Sequence, residues 1–138
     1  EVVEARDGEK LRAGTVYIAP GSDTHMELRG GRNGHIRLRP NAPVMGHRPS
    51  VDTLFTSMIE LKEKAIGIIL TGMGKDGAQG LEKMHRAGAF TLGQSEESCV
   101  IYGMPRAAKL LGAVDREINL DAMPKAIMRA CREQLGVY

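Results

Sequence analysis

The spacing of apolar residues changes along the chain, and each change predicts a different element. From His25 to Arg29 and from His35 to Arg39 apolar and polar residues alternate, with Met26, Leu28, Ile36 and Leu38 on one side. A period of two predicts two half-exposed strands, and the run Gly30-Gly31-Arg32-Asn33-Gly34 between them predicts a hairpin. An earlier strand is expected at Thr15–Ala19, which is β-branched and aromatic and ends at the turn Pro20-Gly21-Ser22-Asp23. After the loop Pro40–Pro49 the period lengthens. Val51, Leu54, Phe55 and Met58 fall at i, i+3, i+4 and i+7, one face of a helix, with Ser50 placed to cap it and Asp52 in its first turn.

The second half alternates. The apolar run Ala65–Leu70 predicts a buried strand, and a glycine-rich turn leads into a helix from about Ala78, with Leu81 and Met84 inward and Gly88 at its end. Ala89–Leu92 predicts the next strand, Pro105–Leu111 a short helix stopped by Gly112, and Ile118–Leu120 a last strand. Asp121 is expected to cap a C-terminal helix carrying Met123, Ile127, Cys131 and Leu135. Strands alternating with helices imply parallel pairing through right-handed crossovers. The expected fold is α/β, part of a doubly wound, mostly parallel sheet with helices on both faces and an antiparallel hairpin.

Composition narrows the function classes. The chain has 138 residues, enough for one domain with a real core. A net charge of +2, with Lys and Arg scattered, argues against nucleic acid, and three Tyr, two Phe and no Trp give no stacking platform. No apolar run nears the roughly 20 residues that cross a bilayer. Cys99 and Cys131 have neither C-x-x-C spacing nor nearby His, so they read as free thiols in a reducing, cytoplasmic compartment, and no metal site or cofactor is expected.

The chemistry is expected in the loop Thr71-Gly72-Met73-Gly74-Lys75-Asp76-Gly77. It stands where open α/β sheets place their sites, at the carboxyl end of a strand. Gly72-x-Gly74-x-x-Gly77 also matches the dinucleotide fingerprint, with Glu96 or Glu97 about 20 residues on, so a nucleotide-binding module is one alternative. Against it, Asp76 would repel a pyrophosphate in the same turn. Asp76 reads either as an N-cap of the helix that follows, a role that Asp76→Asn would largely preserve, or as the acid of a Ser-His-Asp triad. No serine lies in a G-x-S-x-G elbow; Ser22 and His25 read as a local turn pair, and His25, His35 and His85 as surface or partly buried residues.

The loop Thr71–Ala78 resembles the L-T-G-M-G-x-D-G-A segment of the chemotaxis protein-glutamate methylesterases, the CheB family. Tyr17-Ile18-Ala19-Pro20-Gly21, His25-Met26, His47-Arg48-Pro49-Ser50-Val51-Asp52 and Ser98–Pro105 resemble further blocks of that family, in its order. The resemblance implies a serine hydrolase that removes methyl esters from chemoreceptor glutamates and deamidates receptor glutamines. It makes Asp76 the triad acid and gives the Met73 backbone amide to the oxyanion hole. His47 and Arg48 become candidate substrate-binding residues. The family's nucleophile turn, G-A-S-T-G-G, and its Q-H-M-P segment, which bears the base, do not occur in the chain. Residues 1–138 are therefore expected to be the C-terminal part of a catalytic domain, without its first strands and without the receiver domain through which the chemotaxis histidine kinase acts. Expected partners are receptor cytoplasmic helices, with no nucleic acid and no membrane insertion. A piece of this kind is expected to be inactive alone and prone to self-association; a non-catalytic receptor-binding fragment is the other alternative.

Overall fold

The computed structural model describes residues 1–21, 23–134 and 136. Ser22 and Leu135, which the sequence places in a turn and on the last helix, lie outside the described residues. The hairpin forms as the alternation requires: β1 to β4 are Val2–Glu4, Val16–Ile18, His25–Arg29 and His35–Arg39, and β3 pairs antiparallel with β4. Met26, Leu28 and Ile36 turn inward together. β1 pairs parallel with β2, Val3 opposite Tyr17. The three-residue β1 escapes periodicity because charged residues surround it and a single partner strand supports it.

The second half carries β5 (Ile66–Ile69), α2 (Ala78–Arg86), β6 (Phe90–Gln94), α3 (Met104–Leu110), β7 (Arg116–Ile118) and α4 (Met123–Gln134), preceded by α1 (Val51–Ser57). β5, β6 and β7 form a parallel sheet in that order. The architecture is mixed α/β, with parallel sheets, flanking helices and one antiparallel pair. Its parallel strands fall in two separate sheets rather than one.

Three differences from the sequence reading have physical causes. β5 is half-buried, not wholly buried: successive side chains alternate faces, so Gly67 and Ile69 face the core while Ile66 and Ile68 lie on the other face of this edge strand, which is only partly covered. The face of α1 carrying Leu54, Phe55 and Met58 is only partly covered, and the one buried residue of that helix is Asp52. The last strand ends at Ile118, and a 3-10 turn over Leu120–Ala122 leads into α4.

The core that fixes the glycine loop lies between α2, α3 and the sheet. Ile69, Ala78, Leu81, Ala108 and Ala113 form it, with Phe55, Met104 and Val114 packed against it. Leu81 is fully buried, and a Cβ on Gly67 would stand 2.4 Å from its Cδ1. Gly67→Ala is therefore expected to cost about 1–3 kcal/mol through overpacking, and Leu81→Ala about 2–5 kcal/mol through the cavity it leaves. Because the second substitution vacates the space the first needs, the double variant should be more stable than the sum of the singles, as read by urea unfolding.

Candidate active site

Asp76 is buried, at 5% exposure, and its carboxylate serves a helix other than the one it precedes. Oδ2 accepts from the Val51 amide at 2.7 Å, and Oδ1 accepts from the Asp52 amide at 3.1 Å and from Ser50 Oγ at 2.9 Å. Ser50 Oγ in turn accepts from the Thr53 amide at 3.4 Å. The first three amides of α1, otherwise without intrahelical partners, are all satisfied by Asp76 and Ser50. The expected cap of the following helix is thus corrected. The N-cap of α2 is Gly77, at φ 93°, with no side-chain cap, and Asp76 reaches across to α1 instead.

The N-terminus of α2 is served by α1. Asp52 Oδ1 accepts from the Gly80 amide at 2.8 Å. The two helices exchange caps, and they approach closely at Gly80, where a Cβ would lie 2.8 Å from Phe55 Cβ and 3.1 Å from the Asp52 carbonyl oxygen. This arrangement removes the basis of the dinucleotide alternative. A pyrophosphate would need the free amides of the α2 N-terminus, and a protein carboxylate already stands there.

His25, read as a surface or partly buried residue, is buried at 1% exposure. Its Nδ1 accepts from the Ser50 amide at 3.0 Å, so the ring proton sits on Nε2, 2.9 Å from the Ala42 carbonyl. Both ring nitrogens are committed to holding the loop ahead of α1. His47 lies in that loop with its side chain exposed, at the end of a tight turn in which Val44 and His47 exchange backbone hydrogen bonds of 2.9 Å. Arg48 is partly buried and donates through Nη1 to the Asn41 carbonyl at 3.3 Å. A groove of about 760 Å³ opens beside Leu28, Asp52, Ser57, Gln79 and Lys83, but Asp76, Met73, His47 and Arg48 do not line it.

Met73 stands in the loop between β5 and α2 with its side chain 77% exposed. The neighbouring loop carries Tyr102, whose hydroxyl donates to Glu117, a carboxylate that also accepts from Lys109 Nζ at 3.1 Å. Partial burial and the Glu117 carboxylate push the Tyr102 phenol up to about 12, and the hydrogen bond from Tyr102 holds Glu117 below the usual carboxylate range. Gln94 is a residue that sequence reasoning missed; it is 1% exposed and accepts from the Thr71 amide at 2.7 Å. No local pattern marks it. Among the described residues no group of three or more His, Cys, Asp or Glu is arranged to hold a metal, and no helix is long and apolar enough to cross a membrane.

The family model described as CheB methylesterase matches residues 1–127. The chain is 54% identical over 129 residues to a protein-glutamate methylesterase/protein-glutamine glutaminase of Rhizobium etli, covering 93% of this chain and 37% of that protein. It is also 54% identical over 129 residues to one from Caulobacter vibrioides, covering 93% of this chain and 38% of that protein. The crystal structure of the Thermotoga maritima CheB methylesterase catalytic domain superposes with a TM-score of 0.86 at 35% identity, covering 91% of this chain and 67% of that one. The chain thus spans well under half the length of these curated relatives.

Two measurements check this geometry. Asp52→Ala leaves the buried Gly80 amide without a partner and is expected to cost about 1–3 kcal/mol, whereas Asp52→Asn keeps an acceptor and should recover most of it, read as urea midpoints at constant slope. In an absorbance titration, Tyr102 should ionise near pH 12 rather than near 10. The folded state favours its protonated form, so the associated stabilisation is complete below pH 10 and is lost as pH rises through 12. Glu117→Gln should bring that ionisation back down.

Proposed function

The chain belongs to the CheB methylesterase family, and from that premise we propose that it supplies the acid and one oxyanion donor of a serine esterase acting on methylated glutamates of chemoreceptors, with deamidation of receptor glutamines as its second reaction. The observation that carries the reading is the state of the Asp76 carboxylate. A carboxylate offers about four acceptor positions. Three are used by the Val51 and Asp52 amides and Ser50 Oγ, two of them on Oδ1, which leaves one on Oδ2. That last position suits the N–H of an imidazole. An acid held in this way keeps the histidine in the right tautomer and stabilises the imidazolium.

The serine and histidine come from outside residues 1–138, from the G-A-S-T-G-G and Q-H-M-P segments that the family resemblance expects. The serine hydroxyl attacks the ester carbonyl while the histidine takes its proton. The tetrahedral oxyanion is met by the Met73 amide, and the histidine returns the proton as methanol leaves. Water then releases the glutamate. His47 and Arg48 meet the substrate on the loop before α1. In the parent protein a receiver domain, phosphorylated by the chemotaxis histidine kinase, governs access, and the reaction belongs to the cytoplasm. Apolar strand residues bared in this chain, Val2, Val16 and Ile18, each more than half exposed, support a larger assembled domain.

Methanol release from methylated receptor tests the proposal. The 138-residue chain alone should show no turnover above the uncatalysed rate, and adding the N-terminal part of the domain should restore it; full activity of the isolated chain would refute the assignment. In the assembled enzyme Asp76→Asn should lower kcat by about ten-thousand-fold, the loss that follows when a triad acid becomes an amide. The same substitution turns an NH2 group toward the Val51 amide, donor against donor. Contrary to the expectation of a preserved cap, it should therefore also cost about 1–3 kcal/mol of stability.

A further inference from the structure

We infer that the segment Ile101–Met104 aims the Met73 amide into the active site, with Thr71 and Gly103 as positioning residues; this rests on the oxyanion role proposed for Met73. The glycine loop is strapped to that segment by main-chain bonds. The Gly72 amide donates to the Ile101 carbonyl at 3.1 Å, and the Gly72 carbonyl accepts from the Gly103 amide at 3.1 Å and the Met104 amide at 2.8 Å. Thr71 Oγ1 reinforces the strap, donating to the Ile101 carbonyl and accepting from the Ile101 amide, both at 3.0 Å. From the other side, buried Gln94 holds the Thr71 amide.

The consequence follows from peptide geometry. In a planar trans peptide, the carbonyl of one residue and the amide of the next point in opposite directions. Two donors of the strap fix the Gly72 carbonyl, so the N–H of Met73 faces away from the strap. Among the described residues that amide has no protein acceptor. It is a donor aimed outward and held before any charge develops, which is what an oxyanion hole requires. The approach needs glycine on both sides. A Cβ on Gly103 would stand 2.6 Å from the Gly72 carbonyl oxygen and 3.1 Å from the Gly74 amide nitrogen, and a Cβ on Gly72 would stand 2.4 Å from Met104 Sδ.

The experiment uses the full-length enzyme containing this chain, assayed by methanol release and by the amide resonances of a 15N-labelled sample. Gly103→Ala should lower kcat about tenfold or more, leave KM within about twofold, and shift the Met73 amide resonance. Thr71→Val should lower kcat in the same sense, and Thr71→Ser, which keeps the hydroxyl, should restore it. A folded Gly103→Ala enzyme with wild-type kcat, or equal turnover by the Val and Ser variants, would overturn the inference. If Gly103→Ala does not fold, the Thr71 pair decides. If the wild-type enzyme releases no methanol, the esterase reading and with it the oxyanion role fail, and the Met73 resonance then tests the strap alone: a shift in Gly103→Ala supports the positioning of that amide by the Ile101–Met104 segment, an unmoved signal overturns it.

Discussion

Two helix N-termini meet in this protein, and a pair of aspartates makes the meeting possible. The N-termini of α1 and α2 each bear unpaired amides and the positive end of a helix dipole, so bringing them together would be unfavourable without anions between them. Asp76 supplies one carboxylate to α1 and Asp52 supplies the other to α2. The exchange lets the helices close to the distance at which Gly80 touches Phe55 and the Asp52 backbone. That contact seats α2 against the core around Leu81, and through it the glycine loop at the end of β5. The hydrogen bond from the Ser50 amide to His25 extends the same constraint to the hairpin.

Most of the elements were legible because their apolar spacing is regular. The hairpin, α1, α2 and β6 stand where alternation and helical spacing put them, give or take a residue or two at their ends. The site was legible only as a location. A carboxylate at a strand-to-helix turn advertises a cap, but sequence cannot say which helix it caps when the acceptor and donor lie 24 or 25 residues apart. Asp52 misled for the same reason: it read as an acid favouring the dipole of its own helix, and it is the buried partner of another. Both nitrogens of His25 and the acceptor oxygen of Gln94 are met by partners 17 to 25 residues away, and no local period records those; only the Gln94 amide group finds a near partner, the Ser98 carbonyl.

The cross-cap ties the proposed function to stability at one residue. An acid that only oriented a histidine could be held by one or two side chains. Here the main chain of α1 holds it, so the direction of the carboxylate is set by the same bonds that seal a helix end. Rotation would break the bonds from Val51 and Asp52 and leave buried amides unpaired. The cost of that motion fixes the free position on Oδ2 more firmly than surface geometry could, and it makes Asp76 a residue whose proposed chemical role and structural role cannot be changed separately.

The other proposed functional group is built on the opposite plan. A backbone amide is aimed by its neighbours, so constraint falls on Gly72 and Gly103 while the Met73 side chain stays largely in solvent. This also accounts for the glycine spacing that imitates a dinucleotide fingerprint. Gly77 carries φ 93° at the entry to α2, Gly72 makes room for Met104, and Gly74 carries φ 90° in the turn between them. Each glycine answers a local demand of chain reversal or close approach, and none of these demands involves a phosphate. A fingerprint of glycines therefore reports where backbone must come close or turn back; what comes close has to be read from the groups around it, and here those groups are a second loop and a capped helix.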